Sequence, residues 1–596
     1  MNPTIGKDGS QGANLQRLIL YSLSQDERLP SFPNPSYANL VDNIIEKAAV
    51  GNKNLDLGHL RQSVVSLEPE LENKFQAEVS RMMGSLSSRN WFTNQLRLRY
   101  LSFRGPLCDM SQVAILSSPA ESQTISTARL LHKVAMAITS LDTVHAIGCD
   151  RKGNRFETQQ LRDIFATTRV PGHDIDVLKT SPRSSHAVLF SNGHTFRVCI
   201  LDRQLRPVPV SVLATQVQNI LHISSAKPKS INIALYSTLM ERQCWAELRH
   251  RYVKINPEAI DDIESAIVSV ALHTALPLDQ DEKLKLAKED NSCVYSDNVL
   301  GFSIFPDGTA AGRVDHSVAD GGLLVLLWQH LSSLRISIDN KHAAQHLLNA
   351  ILPKELHIGN ESLSQPSSIQ GPALLRKSVI SRIPQDPNLS RILRYTKLSH
   401  AIYLFAYQGA LLSIFDESDC SIHEPVSTRS YAEGRCDRHY VTTKELVSFC
   451  RALEENRSLG SLISDFKEAL QMYRAGLEAT RRGQGFGAAI GILEKSLSSM
   501  KDSDSKSQMI QAAKTFKKRG ALFTGFPFAP AVDAVEGFVS AADRVSCVYI
   551  GHESEVIICL TGSGMFCGIL HRIKEVMEKN ISGITQAVLN SGLISI

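Results

Sequence analysis

The sequence predicts an α/β architecture of at least two units. Apolar residues recur at helical spacing in several long segments, and two hairpin signals fall between them. With 596 residues, 43% hydrophobic and 21% charged, the chain can bury more than one core. At about 150 residues per domain the prior is roughly four domains, or fewer if two large α/β units are present.

In chain order, Met1 to Asn14 carries Gly6, Gly9, Ser10, Gln11 and Gly12 without an apolar core, and reads as a flexible leader, not a signal peptide. Leu40, Ile44, Ile45 and Ala48 predict a helix over Tyr37 to Val50, and Leu71, Phe75, Val79 and Met82 predict another over Leu71 to Met83. Asn192-Gly193 between two apolar runs predicts a hairpin over Ala187 to Leu201. Pro306-Asp307-Gly308 predicts a second over Leu300 to Val314, which delivers the chain to Asp315-His316. An apolar helix opens at Gly322, a buried one at Ser399 and a long one at Ser458. Asn360 to Pro372 reads as a loop or domain crossover, Ser496 to Ser507 as a polar surface loop, and Val545 to Tyr549 and Glu555 to Leu560 as strands.

Composition excludes several classes of function. A net charge of +4 leaves little field for nucleic acid, and the densest basic run (Lys514, Lys517, Lys518 and Arg519) reads as a solvated helix face. The eleven cysteines are dispersed and never form CxxC, which suits a reducing compartment and speaks against a structural zinc or any other bound metal. No apolar run approaches the ~20 residues of a membrane span, so a cytoplasmic protein is expected.

The chemistry-bearing pattern is His316-Ser317-Val318-Ala319-Asp320-Gly321, an HxxxDG at a strand end. Imidazole with an ordinary pKa near ~6.5 is largely neutral at pH 7, so it can accept a hydroxyl proton and return it to a leaving thiolate. Asp320 orients the loop or pairs with a cation; the alternative is that it N-caps the following helix and His316 is an ordinary loop residue.

Several ordered blocks resemble the choline/carnitine O-acyltransferase family. They are Leu29 to Asp42 (LPSFPNPSYANLVD), Trp91 to Pro106 with Ser117-Ser118-Pro119, Arg169-Val170-Pro171-Gly172, the HxxxDG, and Ser427-Thr428-Arg429 with Gly434-Arg435-Cys436-Asp437. Plant-type acyltransferases and peptide-synthetase condensation domains share the histidine logic, but neither DFGWG nor HHxxxDG is present. The resemblance implies two related chloramphenicol acetyltransferase-like domains with the histidine in a tunnel between them. On that basis 1–28 is a leader, 29–82 with 358–596 forms one domain, and 83–357 forms the domain carrying the histidine. It also implies that His316 is the base, that Asp320 pairs with Arg435, and that no covalent acyl-enzyme forms.

The chain departs from the family at three places. Positions that hold carnitine's carboxylate are His423, Cys436 and Ala488 here, with Ser427 beside them as a further acceptor-side candidate. Loss of an arginine partner there would cost on the order of 2 to 5 kcal/mol, so carnitine is not the expected acceptor. The family's Ser-Thr-Ser segment becomes Phe523-Thr524-Gly525, leaving Tyr100 and Thr524 as oxyanion-donor candidates; one such donor is worth roughly 3 to 4 kcal/mol. The aspartate of the coenzyme A clamp becomes Ala401, with Arg391, Arg394 and Lys397 as the remaining candidates for the thioester arm.

These departures resemble the acyltransferase domain of fungal reducing polyketide synthases. That implies a phosphopantetheine thioester as donor substrate, carried by an acyl carrier protein or coenzyme A, no permanently bound cofactor, and a hydroxyl acceptor such as a polyol. The alternatives are a coenzyme A-dependent carnitine or choline acyltransferase, and an inactive module that binds acyl chains or carrier proteins.

Overall fold

The computed structural model describes residues 29–51, 56–84, 89–150, 152–230, 232–336, 352–357, 374–415, 421–515 and 521–593. The expected leader, the whole Asn360 to Pro372 crossover and the basic residues 517–519 lie outside them. The strands are β1 (Ser111–Leu116), β2 (Thr167–Val170), β3 (Val177–Thr180), β4 (His186–Ser191), β5 (His194–Cys199), β6 (Ser269–Leu272), β7 (Leu300–Ile304) and β8 (Ala310–Asp315). The remainder are β9 (Lys354–Leu356), β10 (Arg376–Pro384), β11 (Ile422–Ser427), β12 (Cys436–Tyr440), β13 (Ala521–Phe526), β14 (Val532–Glu536), β15 (Val545–Gly551) and β16 (Glu555–Ser563).

Together with the helices they make a mixed α/β protein built on two large sheets. The first runs β14-β1-β8-β7-β6-β4-β5-β9, the second β10-β16-β15-β13-β11-β12, and β2 and β3 pair by themselves. One strand of the first sheet, β14, comes from late in the chain and pairs antiparallel with β1. Continuous burial of β4, β6, β7 and β8 explains their apolar composition, since helices cover both faces. A third apolar core joins the helices Tyr37–Gly51 and Leu57–Gly84 to Trp91–Leu101, Ala489–Ser498 and Asp504–Thr515. No helix among the described residues is long and apolar enough to cross a membrane.

Both expected hairpins form. Asn192 (φ 50°) and Gly193 (φ 80°) make the two positive-φ positions that an Asn-Gly turn requires. Gly308 (φ 78°) closes the second turn, where a Cβ would lie 2.0 Å from the Glu121 carbonyl. Ser496 to Ser507 corrects the loop expectation. Helix Ala489–Ser498 runs into it and Asp504–Thr515 begins inside it, because buried Leu497, Met500 and Met509 dock both helix ends on the third core.

The register of β1 against β8 sets up the site. Ser111 pairs with Asp315 and Gln112 with Val314, so β1 begins where β8 ends and His316 turns off the sheet. The His316 amide is anchored to the Met110 carbonyl at 3.1 Å. In the second sheet, Gly525 of β13 faces the buried Tyr549, and a Cβ there would fall 1.7 Å from Tyr549 Cε1. Gly525→Ala is therefore expected to cost about 1–3 kcal/mol through overpacking. Urea unfolding should show a lower midpoint at unchanged slope.

Candidate active site

Arg435, at the start of β12, closes a buried clamp on the histidine loop. Its Nε donates to Asp320 Oδ2 at 2.9 Å and its Nη2 to Asp320 Oδ1 at 3.0 Å. The same guanidinium donates to the carbonyls of Ser317 (3.0 Å) and His316 (2.8 Å), and the Cys436 amide adds a bond to Asp320 Oδ2 at 3.0 Å. Burial works against an ionised Asp320, but Arg435 outweighs it and holds the carboxyl below its ordinary pKa. Asp320 does occupy the N-cap position of helix Gly321–Ser333, yet its side chain accepts no helix N–H. The capping alternative is thereby overturned: both oxygens face Arg435.

Gln160 ties the two loops a second time, accepting from the Asp320 amide at 2.9 Å and donating to the Gly434 carbonyl at 2.8 Å. Thr428 Oγ1 donates to the Arg435 carbonyl at 2.6 Å, and a Cβ at Gly434 would fall 2.1 Å from the Thr428 carbonyl. Arg429 reaches the carbonyls of Glu157 (2.8 Å) and Ile147 (2.9 Å). The Ser-Thr-Arg and Gly-Arg blocks thus form one buckle between the segment carrying β11 and β12 and the segment carrying the histidine.

His316 Nδ1 lies 3.0 Å from the Ala319 carbonyl and 2.7 Å from the Gln112 amide. A carbonyl only accepts, so the Ala319 contact places the ring proton on Nδ1 and the lone pair on Nε2; the Gln112 atom nearest Nδ1 is Nε2, so this tautomer requires the Gln112 amide to be assigned the other way round, with its oxygen toward that proton. Burial pushes the His316 pKa below 6.5, and Arg435 adds to this, against Asp320 and the Ala319 carbonyl. The imidazole is neutral at pH 7 and available as a base. Its ring packs against Tyr100 (centroids 4.9 Å) and Phe538 (4.6 Å). Burial raises the Tyr100 pKa, so its hydroxyl stays protonated and able to donate.

A second buried network stands behind the rings. Arg169 donates to Asp176 (2.7 Å), to Asp315 (3.0 Å) and to the Tyr100 carbonyl (2.7 Å). Arg242 bonds Asp176 (2.8 Å) and Asp297 (2.6 Å). The Arg-Val-Pro-Gly block therefore fixes the residue before His316 and the backbone of Tyr100 together.

Three of the acceptor-side candidates, His423, Ser427 and Cys436, share one face of the β11–β12 pair. His423 pairs with Tyr440, Pro425 with Arg438 and Ser427 with Cys436. Burial, with Arg438 and Arg544, lowers the His423 pKa to about 3, so it is neutral, and burial raises the Cys436 thiol well above its ordinary value. Ala488 is buried just before helix Ala489–Ser498, and its amide bonds the Asp437 carboxyl, whose pKa burial raises to about 6. Thr524 is part-buried on β13 opposite Val548; of the two oxyanion candidates, Tyr100 is the one packed on His316. Arg391 and Lys397 are exposed around helix Pro387–Tyr395, and Arg394 sits over the Phe528 ring at 4.6 Å.

Sequence reasoning missed Gln112, Gln160, Phe538 and Arg438. Strand alternation from Cys436 would have put Arg438 on the acceptor-side face; the other three carry no local signal. A cluster of buried His273 and Cys293 with part-buried Asp290 also went unnoticed. His273 Nδ1 bonds Asp290 at 3.0 Å, but Cys293 Sγ lies 3.6 Å from Nδ1 and 4.0 Å from Nε2, beside the ring and not along the Nδ1 lone pair. That geometry suits hydrogen bonds to Asp290 better than a shared metal.

A family model described as "Choline/Carnitine o-acyltransferase" matches residues 49–376 and 391–565. The chain belongs to this family. Among relatives, it is 24% identical over 519 residues to Carnitine O-palmitoyltransferase 1, muscle isoform, of Bos taurus, covering 79% of this chain and 64% of that protein. It is 22% identical over 340 residues to the liver isoform of Homo sapiens, covering 53% and 43%. The matches thus span less than two thirds of these relatives. Among solved structures, a condensation domain of the calcium-dependent antibiotic synthetase overlays with TM-score 0.37 at 12% identity, covering 83% of this chain and 93% of that one.

Removing one charge of the clamp leaves the other buried and unpaired. Asp320→Asn is expected to lower unfolding free energy by about 3 kcal/mol. Denaturant melts of Asp320→Asn, Arg435→Met and the double variant test this, with the double variant less damaged than the sum of the two.

Proposed function

We propose that the chain is an O-acyltransferase that moves an acyl group from a pantetheine thioester to a hydroxyl. The observation that carries the reading is a neutral His316 with its Nε2 lone pair free, locked by the buried Asp320–Arg435 clamp. Nε2 takes the acceptor hydroxyl's proton as the oxygen attacks the thioester carbonyl. The tetrahedral oxyanion accepts a hydrogen bond, for which Tyr100 is the candidate donor and Thr524 the alternative. Collapse breaks the C–S bond, and the proton on Nε2 passes to the departing thiolate. No covalent acyl-enzyme is needed.

In this reading the reaction takes place in a tunnel between two related domains, 29–82 with 358–596 and 83–357. Support comes from His316, Tyr100, His423 and Cys436, each of which keeps accessible surface although burial dominates its pKa shift. The donor arm arrives on an acyl carrier protein or on coenzyme A, with Arg391, Arg394 and Lys397 as its candidate contacts. The acceptor is a hydroxyl compound other than carnitine, such as a polyol, because His423, Cys436 and Ala488 offer carnitine's carboxylate no cation. A coenzyme A-dependent carnitine acyltransferase is the second reading, favoured by the names of the relatives.

Mass spectrometry of esters formed from one acyl thioester, offered on a carrier protein and on coenzyme A with carnitine, choline and polyols competing, decides between these. His316→Ala is expected to lower ester formation by at least about 100-fold. Acylcarnitine as the main product would favour the second reading. Failure to form any ester from either donor would favour an inactive binding module.

Because the base must be unprotonated, kcat/KM should be flat through pH 7 and fall only on the acid side, with its midpoint below 6.5. A midpoint above 7 would contradict a neutral His316.

A further inference from the structure

Arg376, the first residue of β10, reaches from the second sheet to both supports of the His316 ring. β10 is an edge strand of that sheet, and Arg376 lies opposite Ser563 of β16. Its side chain is only 4% exposed. Nη2 donates to Asp109 Oδ1 at 2.5 Å and Nε to the Val539 carbonyl at 3.1 Å. Nη1 donates to the Leu374 carbonyl at 3.3 Å and lies 3.6 Å from Glu289. Glu536, 4.0 Å from Nε, has a closer cation in the buried Lys288 at 2.8 Å.

Each of the two shortest bonds ends one residue away from a contact of His316. Asp109 precedes Met110, whose carbonyl accepts the His316 amide at 3.1 Å. Val539 follows Phe538, whose ring lies 4.6 Å from the imidazole, with Tyr100 also packed on it at 4.9 Å. Phe538 is held from its other side too: the Gly537 amide donates to Thr561 Oγ1 at 2.9 Å, and a Cβ at Gly537 would fall 2.4 Å from Ser546 Oγ. Backbone bonds on both flanks therefore fix where the Phe538 ring stands. A guanidinium carries its donors on three nitrogens in a planar fork, so it can hold a carboxylate on one segment and a carbonyl on another at once. A lysine ammonium has the same charge with all its donors on one atom.

We propose that Arg376 is a positioning residue for the reaction: by bridging Asp109 and Val539 it sets the Met110 anchor and the Phe538 wall that together aim His316 Nε2. Its consequence for rate rests on the acyl-transfer reading; its consequence for the setting of the ring does not.

The test is Arg376→Lys in the full chain, which keeps the charge and removes the fork. With one acyl thioester and the acceptor that gives most ester, kcat should fall at least about tenfold while KM stays within about twofold, because misplacing a reacting group costs rate more than binding. The readout that a merely structural role would not move is the His316 Cε1 proton resonance, which the Phe538 and Tyr100 rings displace. The resonance of His186, buried at the start of β4, is the reference. A fall in kcat with a moved His316 resonance and an unmoved His186 resonance would support the proposal. An unmoved His316 resonance would overturn it, as would movement of both resonances, which marks general loosening, or a moved His316 resonance at unchanged kcat. Should Arg376→Lys fail to fold, Asp109→Ala cuts only the Met110-side arm and carries the same comparison: a moved His316 resonance supports the proposal and an unmoved one overturns it. If the wild type forms no ester with any acceptor, the acyl-transfer reading fails and the resonance comparison alone decides the positioning role.

Discussion

The ion pair between Asp320 and Arg435 is the constraint on which the rest of the site depends. Two full charges removed from water are costly, and here the cost is offset because every strong contact of the pair is also a positional one. Arg435 spends its remaining donors on the carbonyls of His316 and Ser317, and Asp320 receives the Cys436 amide. The loop after β8 and the start of β12 therefore cannot move independently. The Ala319 carbonyl, carried on that loop, meets Nδ1 of His316 and selects the tautomer. A carboxylate four residues from the histidine thus acts on it through backbone geometry, and its field only partly offsets the burial that keeps the ring neutral.

A second layer of charge does a different task. Arg169 and Arg242 with Asp176, Asp297 and Asp315 lie behind the site and hold Tyr100 and the end of β8 to one another. Since the rings of Tyr100 and His316 pack in contact, small shifts in either backbone would misalign both. Burying this many charges yields little net stability but fixes one arrangement, which is what a site working by orientation needs.

Much of this was legible in the sequence because it is encoded locally. Turn chemistry announced both hairpins and helical spacing announced the helices, whereas the pairing of Asp320 with Arg435 was implied only by the resemblance of the HxxxDG and Gly-Arg blocks to a known family. Gln112 and Phe538 were illegible: they meet His316 through the pairing of β1 with β8 and β14, which no local pattern specifies. Ser496 to Ser507 misled for the opposite reason. Its composition is polar, yet three buried apolar side chains decide its conformation. Arg438 was hidden by attention to positions that had changed, when the charge on that face sits two residues along the same strand.

The account's central claim is that the clamp presents a neutral His316 with its proton on Nδ1. The most direct measurement is the nitrogen NMR spectrum of the His316 ring in selectively labelled protein at pH 7, assigned with His316→Ala. The account predicts a protonated Nδ1 resonance and an unprotonated Nε2 resonance, persisting until the pH falls below 6.5. Two protonated nitrogens at pH 7, or the proton on Nε2, would contradict it.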